Sequence, residues 1–261
     1  MAPPKPEINS ARQKVRERIL RWSVDPVAFV REVMGAEPQP WQAQASGHGV
    51  GKSTMLAWVI LWWMCTRRPC KVAATANTAH QLSDVLWSEI GRWHKAMKVL
   101  KNEIEIKSDK IQLKGAPDSF TTAKVARRDQ PEALAGLHSD RMLYVVDECS
   151  GIPDVIFEVA QGALSSPGAK IIMTGNPTRT SGYFYDAFNV NADRWYHMTV
   201  SCLDSERVSQ DFIDDMARQY GEESGVYKIR VLGEFDEGEG DHVVSRALAD
   251  AAVKRQVEPT E

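Results

Sequence analysis

From residue 71 onward, short runs of apolar and β-branched residues alternate with longer stretches whose apolar positions recur at helical spacing. Residues 71–75, 120–126, 142–146 and 170–174 predict strands, and residues 79–97, 153–164, 210–220 and 222–231 predict helices. Residues 103–106 and 110–113 flank Ser108-Asp109 and predict a hairpin, and residues 195–200 predict an extended run. Strands separated by helices imply a mainly parallel sheet covered on both faces. Upstream, residues 53–68 hold good helix formers and stop before Pro69. Their apolar stretch, 55–65, is far shorter than the roughly 20 residues a membrane span needs, so it predicts a buried helix.

Composition agrees with this α/β reading. The chain has 261 residues, 43% hydrophobic and 26% charged, enough for one large domain or a domain and a half. A net charge of -3 excludes a uniformly basic nucleic-acid sleeve, so any such contact is local. The basic excess gathers in two places, an amphipathic lead-in over residues 1–35 and the segment 92–128. Within the latter, Arg127-Arg128 fits a solvated face, a DNA-tracking surface or an arginine finger. The four cysteines form no C-x-x-C pair and no disulfide framework, which suits a reducing compartment. The opening residues have neither the apolar core nor the cleavage pattern of a secretory signal. The expected organisation is the lead-in at 1–35, a compact domain at 36–235 and an acidic, linker-like tail at 236–261.

The strongest chemical signal is Ser46-Gly47-His48-Gly49-Val50-Gly51-Lys52-Ser53-Thr54 at a helix start. Glycines let backbone N–H groups turn around phosphate oxygens, Lys52 reaches the β and γ phosphates of a nucleotide, and the Ser53 hydroxyl suits Mg²⁺. Ser46 stands where the usual phosphate-loop pattern has its first glycine, and His48 reads as a spacer. Downstream, Met142-Leu-Tyr-Val-Val-Asp147-Glu148 is an apolar strand ending in two carboxylates. In a P-loop NTPase, Asp147 at that strand end supports Mg²⁺ and Glu148 polarises the attacking water. Two predicted strands between loop and acids suit the three-layer RecA-like branch, in which an extra strand intervenes and a glutamate is the base. Thr174-Gly175-Asn176 ends another strand at the same sheet edge, where Thr174 or Asn176 fits a γ-phosphate sensor or a plain turn. Trp41-Gln42 is an aromatic–amide pair suited to stacking on adenine and reading its edge, or to a core position.

In order, Trp41-Gln42, the 46–53 loop, Ala74-Thr-Ala-Asn-Thr-Ala-His-Gln-Leu, Gly136-Leu-His, Tyr144-Val-Val-Asp-Glu and Thr174-Gly-Asn-Pro-Thr resemble the large terminase subunit of tailed bacteriophages, over about residues 20–235. The resemblance implies an ATP- and Mg²⁺-dependent motor in the host bacterial cytoplasm. Such a motor, commonly a homo-oligomeric ring, docks on a portal protein and pumps double-stranded DNA into a procapsid, while a small terminase subunit chooses the DNA. It would make Lys52 and Ser53 phosphate and metal contacts, Asp147 the Walker B acid, Glu148 the catalytic base and Thr174–Asn176 the coupling motif. The nuclease domain of such subunits is not expected from this chain. A different P-loop DNA translocase or helicase-like ATPase, or a hydrolysis-impaired nucleotide-binding assembly subunit, stands as the alternative.

One departure from the family has a geometric consequence. Its members place a helix and an apolar strand between the Trp-Gln pair and the loop, whereas here only Ala43-Gln44-Ala45 intervenes, spanning about 10 Å at most. Either residues are missing there and a break falls between Gln42 and Gly47, or the deletion is real. In the second case an uncovered groove beside Val145 and activity near background are expected.

Overall fold

A computed structural model of the protein describes residues 6–43, 51–134 and 136–237. The expected break between Gln42 and Gly47, most of the phosphate loop and the acidic tail from residue 238 lie outside the described residues.

The helix α3 (Lys52–Thr66) is apolar around nearly its whole circumference, and Leu56, Ala57, Ile60, Leu61 and Met64 are fully buried. It packs against one face of a six-stranded sheet and against two further helical segments. The first is the lead-in, α1 (Pro6–Val24) followed by α2 (Pro26–Phe29), which runs on as a wider turn to Met34. Trp22 anchors it: the ring is buried, its N–H donates to Glu32, and its carbonyl accepts from Trp62 Nε1 at 2.6 Å. The basic lead-in is thus docked on the domain through its apolar stripe. The second segment starts as a wide turn at Gln81 and continues as α4 (Ser88–Ala96).

The strands are β1 (Lys71–Ala76), β2 (Ile104–Ile106), β3 (Lys110–Leu113), β4 (Ala116–Ala123), β5 (Met142–Asp147) and β6 (Lys170–Met173), in the order β2-β3-β4-β1-β5-β6. β4, β1, β5 and β6 are parallel, and the β2–β3 hairpin adds antiparallel strands at one edge. Period-2 alternation splits the core: Val72, Ala74, Leu143 and Val145 face α3, whereas Ala73, Met142, Tyr144 and Val146 face Phe157 and Ala160 of α5 (Asp154–Ala163). Register places Ala76 opposite Asp147, and Val146 opposite Met173, so three parallel strands end along one edge.

The strand expected at 120–126 begins earlier, at Ala116, because β3 supplies an antiparallel partner there. Past Ala123 only the β1 side remains, through Lys124 and Ala126 amides bonded to Ala74 and Ala76 carbonyls. A short helix, α6 (Tyr183–Phe188), was hidden in an aromatic cluster that has no helical stripe. Residues 195–200 pair with no strand among the described residues. The chain then forms a small lobe around Cys202, Ile213, Met216, Tyr227 and Val231, built on α7 (Gln210–Tyr220) and α8 (Gly225–Tyr227), the latter extended by a wide turn to Leu232.

The groove expected beside Val145 is not there. Val145 is fully buried, paired between Ala74 and Ile172. A groove of about 400 Å³ lies one strand further out, along the outer edge of β6, between Ile171–Met173, the 195–200 run and the α3 side chains Met55, Trp58 and Trp62.

Candidate active site

Lys52 is the first residue of α3, and Gly51 before it has φ 106, a left-handed conformation that favours glycine. The first-turn N–H groups of a 15-residue helix therefore open onto the edge where β1, β5 and β6 end, with the positive end of the helix dipole directed there. Lys52 is only 7% exposed; its Nζ donates to Asn176 Oδ1 at 2.7 Å and lies 3.7 Å from Glu148 Oε1. Asn176 also donates through Nδ2 to Glu148 Oε2 at 3.3 Å, so one amide bridges the lysine and the acid.

Glu148 is one of two non-glycine residues with positive φ among the described residues, at 51°. A backbone outlier costs about 1–3 kcal/mol and persists where its surroundings hold it. Here the Glu148 amide donates to Asp147 Oδ1 at 3.0 Å and the next amide, of Cys149, donates to the Thr174 carbonyl at 2.9 Å. The turn aims the Glu148 carboxylate at Lys52. Burial pushes the Glu148 carboxyl above its ordinary range, and the Lys52 charge opposes this only in part. Burial likewise lowers the Lys52 ammonium, opposed by Glu148 and Asp147.

Asp147 is fully buried and saturated with donors. Oδ1 accepts from Thr174 Oγ1 at 2.8 Å and the Glu148 amide; Oδ2 accepts from Gln81 Nε2 at 2.9 Å and Ser53 Oγ at 3.4 Å. Gly175 allows the 174–176 loop to press on the Glu148 turn, since a Cβ there would come within 2.9 Å of the Cys149 amide. Strand end, turn and loop are one interlocked unit.

The structure brings together Lys52, Ser53, Asp147, Glu148, Thr174 and Asn176. Gln42 is nearby: its Oε1 accepts from the Gln39 amide at 3.0 Å and its Nε2 faces the Gly51 carbonyl at 3.5 Å. Thr54 is buried and donates to Glu89, which also holds Arg92 and Trp93. Arg127 and Arg128 are exposed in the loop after β4 and make no ion pair among the described residues; Arg128 lines a polar cavity with Cys149, Ser150, Asp154 and Arg179, next to the turn that carries Glu148. Ser46, Gly47, His48, Gly49 and Val50, and the side chain of Trp41, lie outside the described residues. Sequence reasoning did not single out Gln81, although it falls within the 74–82 string, nor Arg207, whose Nη1 lies 3.5 Å from Thr54 Oγ1 across 153 positions.

This sheet order, with α3 starting at Gly51-Lys52 beside an acidic strand end, defines a P-loop NTPase fold. No protein-family model matches the chain. It is 31% identical over 230 residues to the probable terminase large subunit of Enterobacteria phage P7, covering 83% of this chain and 47% of that protein. Over that span the chain is similar to a phage large terminase, and it covers about half the length of that relative. Its fold matches the large terminase ATPase domain of Thermus phage P74-26, with a TM-score of 0.60 at 14% identity over 81% of this chain and 99% of that one. It also matches the large terminase of a thermophilic bacteriophage in complex with ADP, with a TM-score of 0.57 at 16% identity over 81% and 52% of the two chains. Among the described residues no helix is long and apolar enough to cross a membrane.

Proposed function

We propose that this chain is the ATP-hydrolysing motor part of a large terminase, which couples hydrolysis to movement of double-stranded DNA into a procapsid. The observation that carries the reading is the convergence of Lys52, Asp147 and Glu148, from a helix start and an adjacent strand end, at the sheet edge where such ligands sit. The ADP complex of the thermophilic-phage terminase supports a nucleotide as ligand.

The α3 N-terminus and Lys52 bind the phosphates. When ATP enters, Lys52 Nζ exchanges Asn176 for a phosphate oxygen, which frees the Asn176 amide to follow the terminal phosphate. The hydroxyl of Ser53 and the carboxylate of Asp147 are hard oxygen donors on adjacent elements, the set Mg²⁺ prefers. Bound there, Mg²⁺ would neutralise charge developing on the phosphates. Glu148, with its carboxyl raised by burial, takes the proton of the attacking water. Thr174 and Gln81 fix Asp147 so that little reorganisation accompanies the reaction. Arg127 and Arg128, exposed and without an ion pair among the described residues, suit a neighbouring subunit's nucleotide or DNA phosphates. The portal protein, the small terminase subunit and a homo-oligomeric ring are the partners this function requires, in the host bacterial cytoplasm.

The groove along β6 favours a second reading: a nucleotide-binding assembly subunit impaired in hydrolysis, because the sheet is open along that edge. Phosphate release from Mg·ATP with and without duplex DNA separates the two. The motor reading expects DNA-stimulated turnover that Glu148→Gln lowers by roughly 10² or more while ATP still binds. Tight ATP binding with background turnover in the wild type supports the impaired subunit.

A further inference from the structure

Arg207 of the small lobe over residues 201–232 reaches the nucleotide-binding edge. Arg207 folds back over α3, and a Cβ placed on Gly51 would run into its Nη1 and lie 3.0 Å from Gln42 Nε2. The same Nη1 is 3.5 Å from Thr54 Oγ1. Gly51 and Thr54 are three positions apart and share one face of the helix end, whereas Lys52 is about 100° around and reaches Asn176 and Glu148.

Among the described residues Arg207 has no carboxylate partner. A guanidinium at the positive end of a helix is electrostatically uphill unless an anion joins it. Its backbone is tied to the neighbouring segment: the Arg207 amide donates to Ser205 Oγ at 3.3 Å, and the buried Ser205 donates to Gln39 Oε1 at 3.4 Å. Gln39 in turn bonds Gln42, which faces Gly51.

Resting on the nucleotide reading above, we propose that Arg207 is a nucleotide-contacting residue: its guanidinium binds the phosphate nearest the ribose and so couples the 201–232 lobe to site occupancy. The assignment to that phosphate follows from the face it covers. Lys52 takes the terminal side, next to Glu148, and the Gly51–Thr54 face with Gln42 takes the other. A guanidinium suits this position because it can bond two phosphate oxygens at once while its stem lies along the lobe.

The test uses the full chain with Mg²⁺ and a fluorescent ADP, comparing wild type, Arg207→Ala and Arg207→Lys. Arg207→Ala is expected to weaken ADP affinity about tenfold, and Arg207→Lys, a point charge without the fork, to recover part of it. Melting without nucleotide stays within about 1 °C of the wild type, because Arg207 is exposed and unpaired with any acid, while the ADP-induced rise in Tm shrinks. Phe212 and Tyr220 of α7 are exposed, so chymotryptic cleavage there reads the lobe, and ADP should slow it in the wild type but not in Arg207→Ala. Wild-type ADP binding with unchanged affinity in Arg207→Ala would overturn the proposal and leave the nucleotide site standing. No ADP binding by the wild type would take down both.

Discussion

Replacing Thr174 by valine tests the interlock around Asp147 with little change of shape. The Asp147 carboxylate is completely buried, and the Thr174 hydroxyl, itself only 3% exposed, is one of its four donors and the shortest. Valine keeps the volume and removes a hydrogen bond to a charged acceptor that no water replaces. Such bonds contribute about 1.5–3 kcal/mol. In a domain of this size each kcal/mol shifts Tm by about 2–4 °C, so a fall of roughly 3–12 °C is expected in thermal unfolding followed by circular dichroism without nucleotide. Thr174→Ser keeps the donor and should stay within about 1 kcal/mol of the wild type, because it loses a single methyl group. Turnover should fall in the valine variant as well, since Asp147 loses one of the bonds that orient it. If valine and serine melt together and both hydrolyse ATP as the wild type does, the bond does not hold Asp147 and the interlock is wrong.

Trp22→Ala removes the anchor of the lead-in on α3, and with a buried indole lost at about 3–5 kcal/mol the melting temperature should drop by roughly 10 °C; an unchanged Tm would mean that the lead-in is not part of the cooperative unit. Because burial raises the Glu148 carboxyl above its ordinary value of 4.5, the base form develops at higher pH, and the acid limb of turnover should lie above that value and disappear in Glu148→Gln. The sign for stability is opposite: a raised carboxyl favours the fold below its unfolded value and loses that advantage as pH rises through the folded one, so Glu148→Gln should gain stability relative to wild type at neutral pH and lose the gain in acid, as pH-dependent melting would show. Arg127→Ala and Arg128→Ala should leave ATP binding by the monomer intact and either cut turnover in assemblies or flatten the salt dependence of DNA affinity; no change in either would return both residues to a solvated face.

The sheet was legible where the sequence carries period and punctuation. The runs at Lys71, Met142 and Lys170 are apolar, bounded by turn residues, and their ends bear the chemistry, so both the strands and the acid pair could be read directly. Lys52 and Asp147 could be singled out as candidates because glycine spacing and a strand-terminal carboxylate are local patterns. What stayed hidden depends on tertiary contact. Gln81 looks like an ordinary helical glutamine until the fold sets it on Asp147, and Arg207 belongs to a segment with no motif until that segment folds back on α3. The groove was expected, for a real deletion, from the three residues between Gln42 and Ser46, but placed beside Val145, one strand too far in. Length says that a strand is short of room, and only the pairing of β5 with β6 says which edge is left open.

A crystal structure with Mg²⁺ and a non-hydrolysable ATP analogue would show whether Lys52, Asp147 and Glu148 form a nucleotide site. The phosphates should lie at the α3 N-terminus, with Lys52 Nζ moved from Asn176 onto a phosphate oxygen, Ser53 and Asp147 on the metal, and the Glu148 carboxylate facing the terminal phosphate. An analogue bound elsewhere, or bound with the Lys52–Asn176 bond still at 2.7 Å, would contradict that reading.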